Sequence, residues 1–369
     1  MGVALPVAFL EAAAPGYLAG ADWDGLGEDW LEQALAYAAA PCKGVRGPLT
    51  RIRPRPPGKA AEPGYRLADY LDQHGRRAHR GLLPPAGFWD AAARFASLGE
   101  LPALAEAAEA HGLLREAARL RKHAAACGDT GAATHLIRQL HSLDPADHDP
   151  AQWAAAHAAL DNPYAVARLL EALREAGADD QATALAARAA AHAALDNPYD
   201  VAELLRVLRG AGADGQAATL LARDPAAHAA LDDPYAVARL LDALREAGAD
   251  DQAAALAARA AAHTALDNPY DVARLLDALR EAGADGQAAA LLARDPAAHA
   301  ALDNPAAVAR LLDALRNADA EEQVSTLVDR LPAGGLFDLF CEQANHQVVY
   351  RFGREPDGTP APSWGWDDC

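Results

Sequence analysis

The fold is decided by the stretch Asp161-Asn-Pro-Tyr-Ala-Val-Ala-Arg-Leu-Leu-Glu-Ala-Leu-Arg-Glu-Ala-Gly-Ala-Asp-Asp-Gln-Ala-Thr-Ala-Leu-Ala-Ala-Arg-Ala-Ala-Ala-His-Ala-Ala-Leu195. Asn162 is a helix cap, Pro163 occupies the first turn where its missing N–H costs nothing, and Gly177 supplies a stop. Val166, Leu169, Leu170 and Leu173 fall at i, i+3, i+4 and i+7, one apolar stripe on a helix of about 164–176. Asp179 or Asp180 starts a second, alanine-rich helix through Leu185, Ala189 and Ala193, whose small side chains let backbones approach closely. A helix pair of this size cannot bury its own apolar face, so copies must stack.

Copies are present. The anchor Leu-Asp-Asn/Asp-Pro recurs at Leu160, Leu195, Leu231, Leu266 and Leu302, a spacing of 35, 36, 35 and 36 residues. The true period is a 71-residue doublet, and Asp161–Leu231 matches Asp232–Leu302 at 62 of 71 positions. The alternation has a physical origin. Odd copies end Ala187-Arg-Ala-Ala-Ala-His192, whereas even copies end Ala222-Arg-Asp-Pro225-Ala-Ala-His228 with one residue more. Proline inside a helix removes a hydrogen bond and clashes with the preceding turn. Even copies are therefore predicted to break there, with Asp224 and Asp295 capping a short new helix.

Outside this tract (151–331) three further regions are expected. Residues 1–40 hold six acidic and no basic residues, and 29–35 reads as a short amphipathic helix. From Cys42 to about Phe95 the balance reverses, with Lys43, Arg46, Arg51, Arg53, Arg55, Lys59, Arg66, Arg76, Arg77 and Arg80. Apolar and basic residues alternate through 48–54, which predicts a strand, and Tyr65–Leu71 is a second strand or a helix. A small α+β or winged-helix-like element and an irregular linking module both fit 1–84. Diverged helical repeats follow over 85–150, read as helices at 88–97, 101–110, 113–126 and 132–142 with Gly112 and Gly128 at the helix stops. Residues 332–369, rich in Gly and Pro, form a cap or a tail.

Composition agrees with an all-α fold. Hydrophobic residues make up 51% and aromatics only 6%, so alanine and leucine carry the burial. The net charge of −19 works against nucleic acid and anionic membranes and makes a basic partner the expected one. Cys42, Cys127, Cys341 and Cys369 stand far apart without a CxxC pair, which predicts neither zinc nor disulfides. The N-terminal apolar stretch lacks a basic flank and is interrupted by Glu11, so a cytoplasmic chain without a membrane span is expected.

The candidate binding residues lie on the first helices. Arg is followed three residues later by an acid at Arg168/Glu171, Arg239/Asp242, Arg274/Asp277 and Arg310/Asp313, whereas the second copy inverts the order as Glu203/Arg206. Such i,i+3 pairs belong on a solvated face, which reads either as self-neutralising or as a variable partner-contact surface. Tyr164, Tyr199, Tyr235 and Tyr270 follow the helix-start proline, with Ala306 in the fifth copy. Packing against the loop below is their expected role, and an aromatic binding stripe the other. His157, His192, His228, His263 and His299 recur once per copy. Equivalent atoms on stacked helices lie about 8–10 Å apart, too far for adjacent histidines to share a zinc at about 2.1 Å, so they are read as partners of the last helix carbonyls. There is no phosphate loop, no GxSxG elbow and no HExxH. The chain is thus expected to be non-enzymatic, with no cofactor and no metal.

The unit from Leu160 to Ala178 and the Gln252-Ala-Ala-Ala-Leu-Ala-Ala-Arg259 of the third copy resemble the tetratricopeptide-like helical repeats of actinobacterial proteins. The tail from Phe352 through Trp364-Gly-Trp366-Asp-Asp is similar to the C-terminus common in that group. The resemblance implies a right-handed α-solenoid of helix pairs and a protein–protein interaction scaffold or sensor in signal transduction. Longer members carry a signal-transducing NTPase domain ahead of a segment similar to residues 1–82. The Trp and Tyr signature of standard tetratricopeptide repeats is not reproduced, so the resemblance transfers architecture and no binding residues. The rival expectation is a nucleic-acid-binding regulator using the basic 43–80 segment, with the repeats as a sensing arm.

The doublet can be tested directly. Deleting Asp224 together with Pro225→Ala converts an even copy into the odd type. Helix propensity favours that change by about 3 kcal/mol, but it rotates the next copy by roughly 100° and shifts it about 1.5 Å. Lower thermal stability is expected, with hydrogen-exchange protection lost mainly between about 200 and 265 because repeat interfaces act between neighbours. A more stable variant with uniform protection would show that the doublet is not a structural unit.

Overall fold

The computed structural model describes residues 4–41, 46–52, 64–78, 81–343 and 346–363. Lys43, Arg53, Arg55, Lys59, Arg80, the side chain of Arg76, Cys42, Cys369 and the end of the tail from Trp364 lie outside the described residues. The protein is mostly helical, with successive helices packed on one another. Its contacts divide it into two compact bodies, one comprising 1–159 and 172–181, the other 160–171 and 182–369.

The first body holds an antiparallel sheet of Ala4–Pro6, Leu49–Ile52 and Gly64–Leu67, with the last strand in the middle. Tyr65 faces Leu5 on one side and Arg51 on the other. The segment after Tyr65, which the sequence left open between strand and helix, is both: the strand ends at Leu67 and a helix runs Asp69–Ala78. The predicted acidic helix is Trp30–Ala39, with the Gln33 side-chain amide donating to Asp29 at 2.7 Å. Val7–Ala13 packs on Ala86–Phe95, where Phe9 meets Phe88 edge-on at 5.7 Å. The helices Leu101–Ala110, Leu114–Ala126 and Thr130–Leu143 then pack in succession. Gly112 and Gly128 take φ of +74° and +101° at their ends, the left-handed conformation that a helix stop requires.

The first helices of the copies are Pro163–Glu175, whose residues from 172 on count with the first body, and, in the second body, Pro198–Gly210, Pro234–Glu246, Pro269–Glu281 and Pro305–Asn317, the last four packing each on the next. Val166, Leu169, Leu170 and Leu173 are buried, as are their equivalents in every copy. Odd second helices are continuous, Asp179–His192 and Asp250–His263. Even ones break into Asp214–Leu221 and Pro225–His228, and into Asp285–Leu292 and Pro296–His299. At the breaks Asp224 and Asp295 adopt left-handed φ of 53° and 58°, and their carboxylates accept from the N–H of Ala227 and Ala298.

From the second copy to the fifth, one arginine in each reaches the second helix of the copy before it. Arg223 donates to the carbonyls of Ala190 and Ala193 at 3.2 and 2.6 Å, and Arg294 to those of Ala261 and Thr264 at 3.0 and 2.6 Å. Arg259 reaches Ala226 and Ala229, and Arg330 reaches Ala297 and Ala300. Each pair of acceptors lies in the last turn of the preceding second helix, where carbonyls have no partner within the helix and the dipole favours a cation. The opening at the break is also closed from the next copy: Gln252 donates to the Leu221 carbonyl at 2.7 Å, and Gln323 to that of Leu292 at 3.4 Å. After the fifth copy, Gly334 lies against Leu302, where a Cβ would come within 2.6 Å of its Cδ1, and Arg316 donates to Gln343.

The clamp sets an expected outcome. Arg259→Met keeps the apolar stem and removes both donors, leaving without them the carbonyls of Ala226, in the four-residue helix, and of Ala229, which caps it. Urea unfolding should show a loss of about 2 kcal/mol, the range for charge-assisted hydrogen bonds, with protection lost first around 225–230.

Candidate functional site

Each first helix is started by the same device. The side chains of Asn162, Asp233 and Asn304 accept from the backbone N–H three residues on, at 2.8, 3.0 and 3.2 Å, and Asn197 and Asn268 accept from the N–H of Tyr199 and Tyr270. With the start fixed, helix periodicity places Tyr164, Arg168 and Glu171 at i, i+4 and i+7, on one stripe. Lateral packing of the copies turns these positions into three parallel rows of tyrosine, mostly arginine, and mostly acid.

The tyrosine row is continuous. Ring centroids of Tyr164 and Tyr199 lie 6.1 Å apart, those of Tyr199 and Tyr235 6.5 Å, and those of Tyr235 and Tyr270 6.5 Å. The rings therefore meet one another across copies, while Tyr164, Tyr199 and Tyr270 keep 40%, 37% and 43% of their surface exposed. The Arg274 guanidinium lies 5.8 Å over Tyr235 and that of Arg310 6.0 Å over Tyr270.

The ten candidate residues are joined differently from copy to copy. Arg168 bridges Glu171 at 2.5 Å and Arg206 bridges Glu203 at 2.6 Å, within their helices. Arg206 also reaches back to Glu171 at 3.4 Å, and Arg310 to Asp277 at 3.2 Å, so the charges link copies as well. Asp313 pairs with Arg316 at 3.2 Å. Arg239 and Asp242 are not bridged to each other among the described residues. Nor is the acid row as solvated as expected. Glu171 and Asp277 keep only 27% and 21% of their side-chain surface, and Glu203, which stands in the arginine row, 15%, whereas Asp313, which no further copy follows, keeps 73%. A neighbouring first helix is what covers them. Gly210, where three other copies carry Glu, opens a depression of about 340 Å³ beside Arg206 and Arg209.

Electrostatics differ along the face. The hydrogen bond from Arg206 holds the Glu203 carboxyl below its ordinary range, and Glu203 in turn pushes the Arg206 guanidinium up. Burial, with Glu281 nearby, pushes Asp242 up. Beside the tyrosines, burial and Asp196 raise Asp200, while burial, Asp233 and Asp267 raise Asp271.

Three of the recurrent histidines close a helix but bond the carbonyl four residues back, which for His228 and His299 is that of the aspartate at the helix start instead of one of the last carbonyls. The Nδ1 of His157 meets the Trp153 carbonyl at 2.8 Å, and those of His228 and His299 meet the carbonyls of Asp224 and Asp295 at 2.9 and 2.8 Å. Among the described residues no group of three or more His, Cys, Asp or Glu could hold a metal ion, and no helix is long and apolar enough to cross a membrane. Sequence reasoning missed the arginine clamp, although Arg188, Arg223, Arg259, Arg294 and Arg330 repeat at 35 and 36 residues. It also treated the tyrosines and the charge pairs separately, although their i, i+4, i+7 spacing puts them on one stripe. A comparison with protein-family models and with curated proteins returns no match.

The raised carboxyls give a signed expectation. A carboxyl whose pKa is higher folded than unfolded weakens the fold above its folded pKa and ceases to do so below the unfolded value. Asp271→Asn should therefore stabilise the protein at neutral pH, by up to about 1 kcal/mol for a surface charge. The gain should vanish below about pH 4, as read from thermal midpoints across pH.

Proposed function

We propose that the chain is a non-enzymatic protein–protein interaction scaffold or sensor module, a right-handed α-solenoid of tetratricopeptide-like helix pairs working in the cytoplasm. Its partner is a protein or peptide of basic character, engaged through the exposed stripe of the first helices. The observation that carries this reading is the continuation of the arginine and acid rows through Arg168, Glu203, Arg239, Arg274 and Arg310 and their acidic or basic partners, across five copies. A surface that repeats one pattern with local changes of sign suits an extended partner read at several points. The shifted carboxyls are spread along this face instead of converging on one reacting centre. A second reading, a nucleic-acid-binding regulator, draws on the exposed Arg51 and Arg77 beside the small antiparallel sheet. The net charge of −19 weighs against it.

One variant separates the readings. Arg239→Glu with Asp242→Arg imposes on the third copy the order that the second already carries; because it sets like charges against Glu203 and Arg206, a small loss of thermal stability, about 1 kcal/mol or less, is expected. Full-length protein used as bait in a lysate of its host should retain a defined partner, and the variant should retain clearly less of it. The wild type should show no saturable binding to duplex DNA at physiological salt. Equal retention by both baits, or submicromolar DNA binding lost with Arg51→Ala and Arg77→Ala, would overturn the reading.

A further inference from the structure

The tyrosine row has a property that the charge rows lack: a fixed spacing on an open edge. Its steps of 6.1, 6.5 and 6.5 Å are close to the about 6.6–6.8 Å that separates alternate side chains of an extended chain. Packed helices lie about 8–10 Å apart, so the rings stand closer together than the axes of packed helices do. Two of these rings already hold a guanidinium, from Arg274 and Arg310, so their faces accept cations. Tyr164 has no such neighbour from the next copy, where Glu203 replaces arginine.

Carboxylates flank the row. A depression of about 530 Å³ is lined by Asp232, Asp233, Tyr235, Tyr270 and Asp271. A second, of about 480 Å³, lies on the other side of Tyr270 and is lined by Asp267, Asn268, Asp303 and Asn304 among others. We propose that the tyrosine row and these flanking carboxylates form a docking edge for an extended peptide with lysine or arginine at every second position. Alternate cationic side chains would lie on successive rings while the carboxylates hold their charge. Burial first, and then Asp196 beside Asp200 and Asp233 and Asp267 beside Asp271, push these two carboxyls up, and a bound cation would relieve the repulsive part. A second copy of this chain is disfavoured as occupant by its like charge. The assignment rests on the scaffold reading and specifies its surface and its partner's chemistry.

The test uses the full chain and a fluorescein-labelled dodecapeptide alternating lysine with serine, followed by anisotropy at physiological salt. Saturable binding is expected, with clearly weaker binding of a peptide of the same composition whose lysines are in one block. Tyr164→Ala with Tyr199→Ala, the two rings of the row over which no guanidinium lies among the described residues, should weaken binding about tenfold, the effect of losing two cation–π contacts, while the double Phe variant should retain it. Alanine is tolerated at this position in the fifth copy, as Ala306, so the fold should survive, and unchanged helicity checks that. No saturable binding, equal affinity for the block peptide, or an unaffected alanine variant would overturn the proposal. If the partner captured from lysate is retained undiminished by the alanine variant, the docking edge is wrong and the scaffold stands. If no partner is captured but the alternating peptide binds with the expected losses, the edge stands and the partner-capture reading fails.

Discussion

The register of the repeat tract depends on the arginines Arg223, Arg259, Arg294 and Arg330, each reaching the unpaired carbonyls at the end of the second helix before it. Alanine-rich second helices have little side-chain relief, so apolar packing alone leaves them free to slide along one another. A guanidinium that must meet two carbonyls one turn apart removes that freedom, because its donors are planar and fixed. Burial of the Val and Leu stripe supplies most of the driving force, and the clamp sets the register in which it is spent.

The alternation of 35 and 36 residues follows from the same contact. In the described clamps the arginine lies 33 and 30 residues after its two acceptors, whether the acceptors belong to an odd or an even copy. The extra residue in even copies falls between their own arginine and their own acceptor carbonyls. It is absorbed by the left-handed turn at Asp224 and Asp295, a conformation that costs an L-residue energy and that aspartate tolerates better than most. The chain then restores the carbonyls to position with Pro225 or Pro296, whose fixed φ suits a helix start. The odd-copy glutamine closes what the turn leaves open.

Much of this was legible in the sequence, for reasons that are local. Caps, stops and the apolar stripe are decided within one or two turns, so the helix bounds read from Asn162, Pro163 and Gly177 agree with those observed to within about two residues. The break at Pro225 was legible for the same reason. The fifth copy shows where local reading ends: Asp319 takes the left-handed position that glycine holds in the others, with φ of 51°. What depends on neighbouring copies was harder to read. The sequence places Glu171 and Asp277 on an exposed face of an isolated helix, but in the stack another helix lies beside them. Tyr164 and Tyr199 are 35 residues apart in the chain and adjacent in space, so their ring contact has no signature except the repeat itself. The strand and helix after Tyr65 were ambiguous because the segment is short and one of its sheet partners, Ala4–Pro6, comes from the beginning of the chain.

The two kinds of junction also govern how such a gene can change in size. An even copy receives the arginine of the odd copy after it and also its glutamine; an odd copy receives the arginine of the even copy that follows. Unequal crossing-over that adds or removes 71 residues rejoins an even end to an odd beginning and recreates junctions already present. A gain of a single copy sets two like copies side by side and makes a junction the protein does not contain. Length variants of this array should therefore come in steps of two copies, and the near-identity of the doublets makes such exchange easy at the level of DNA.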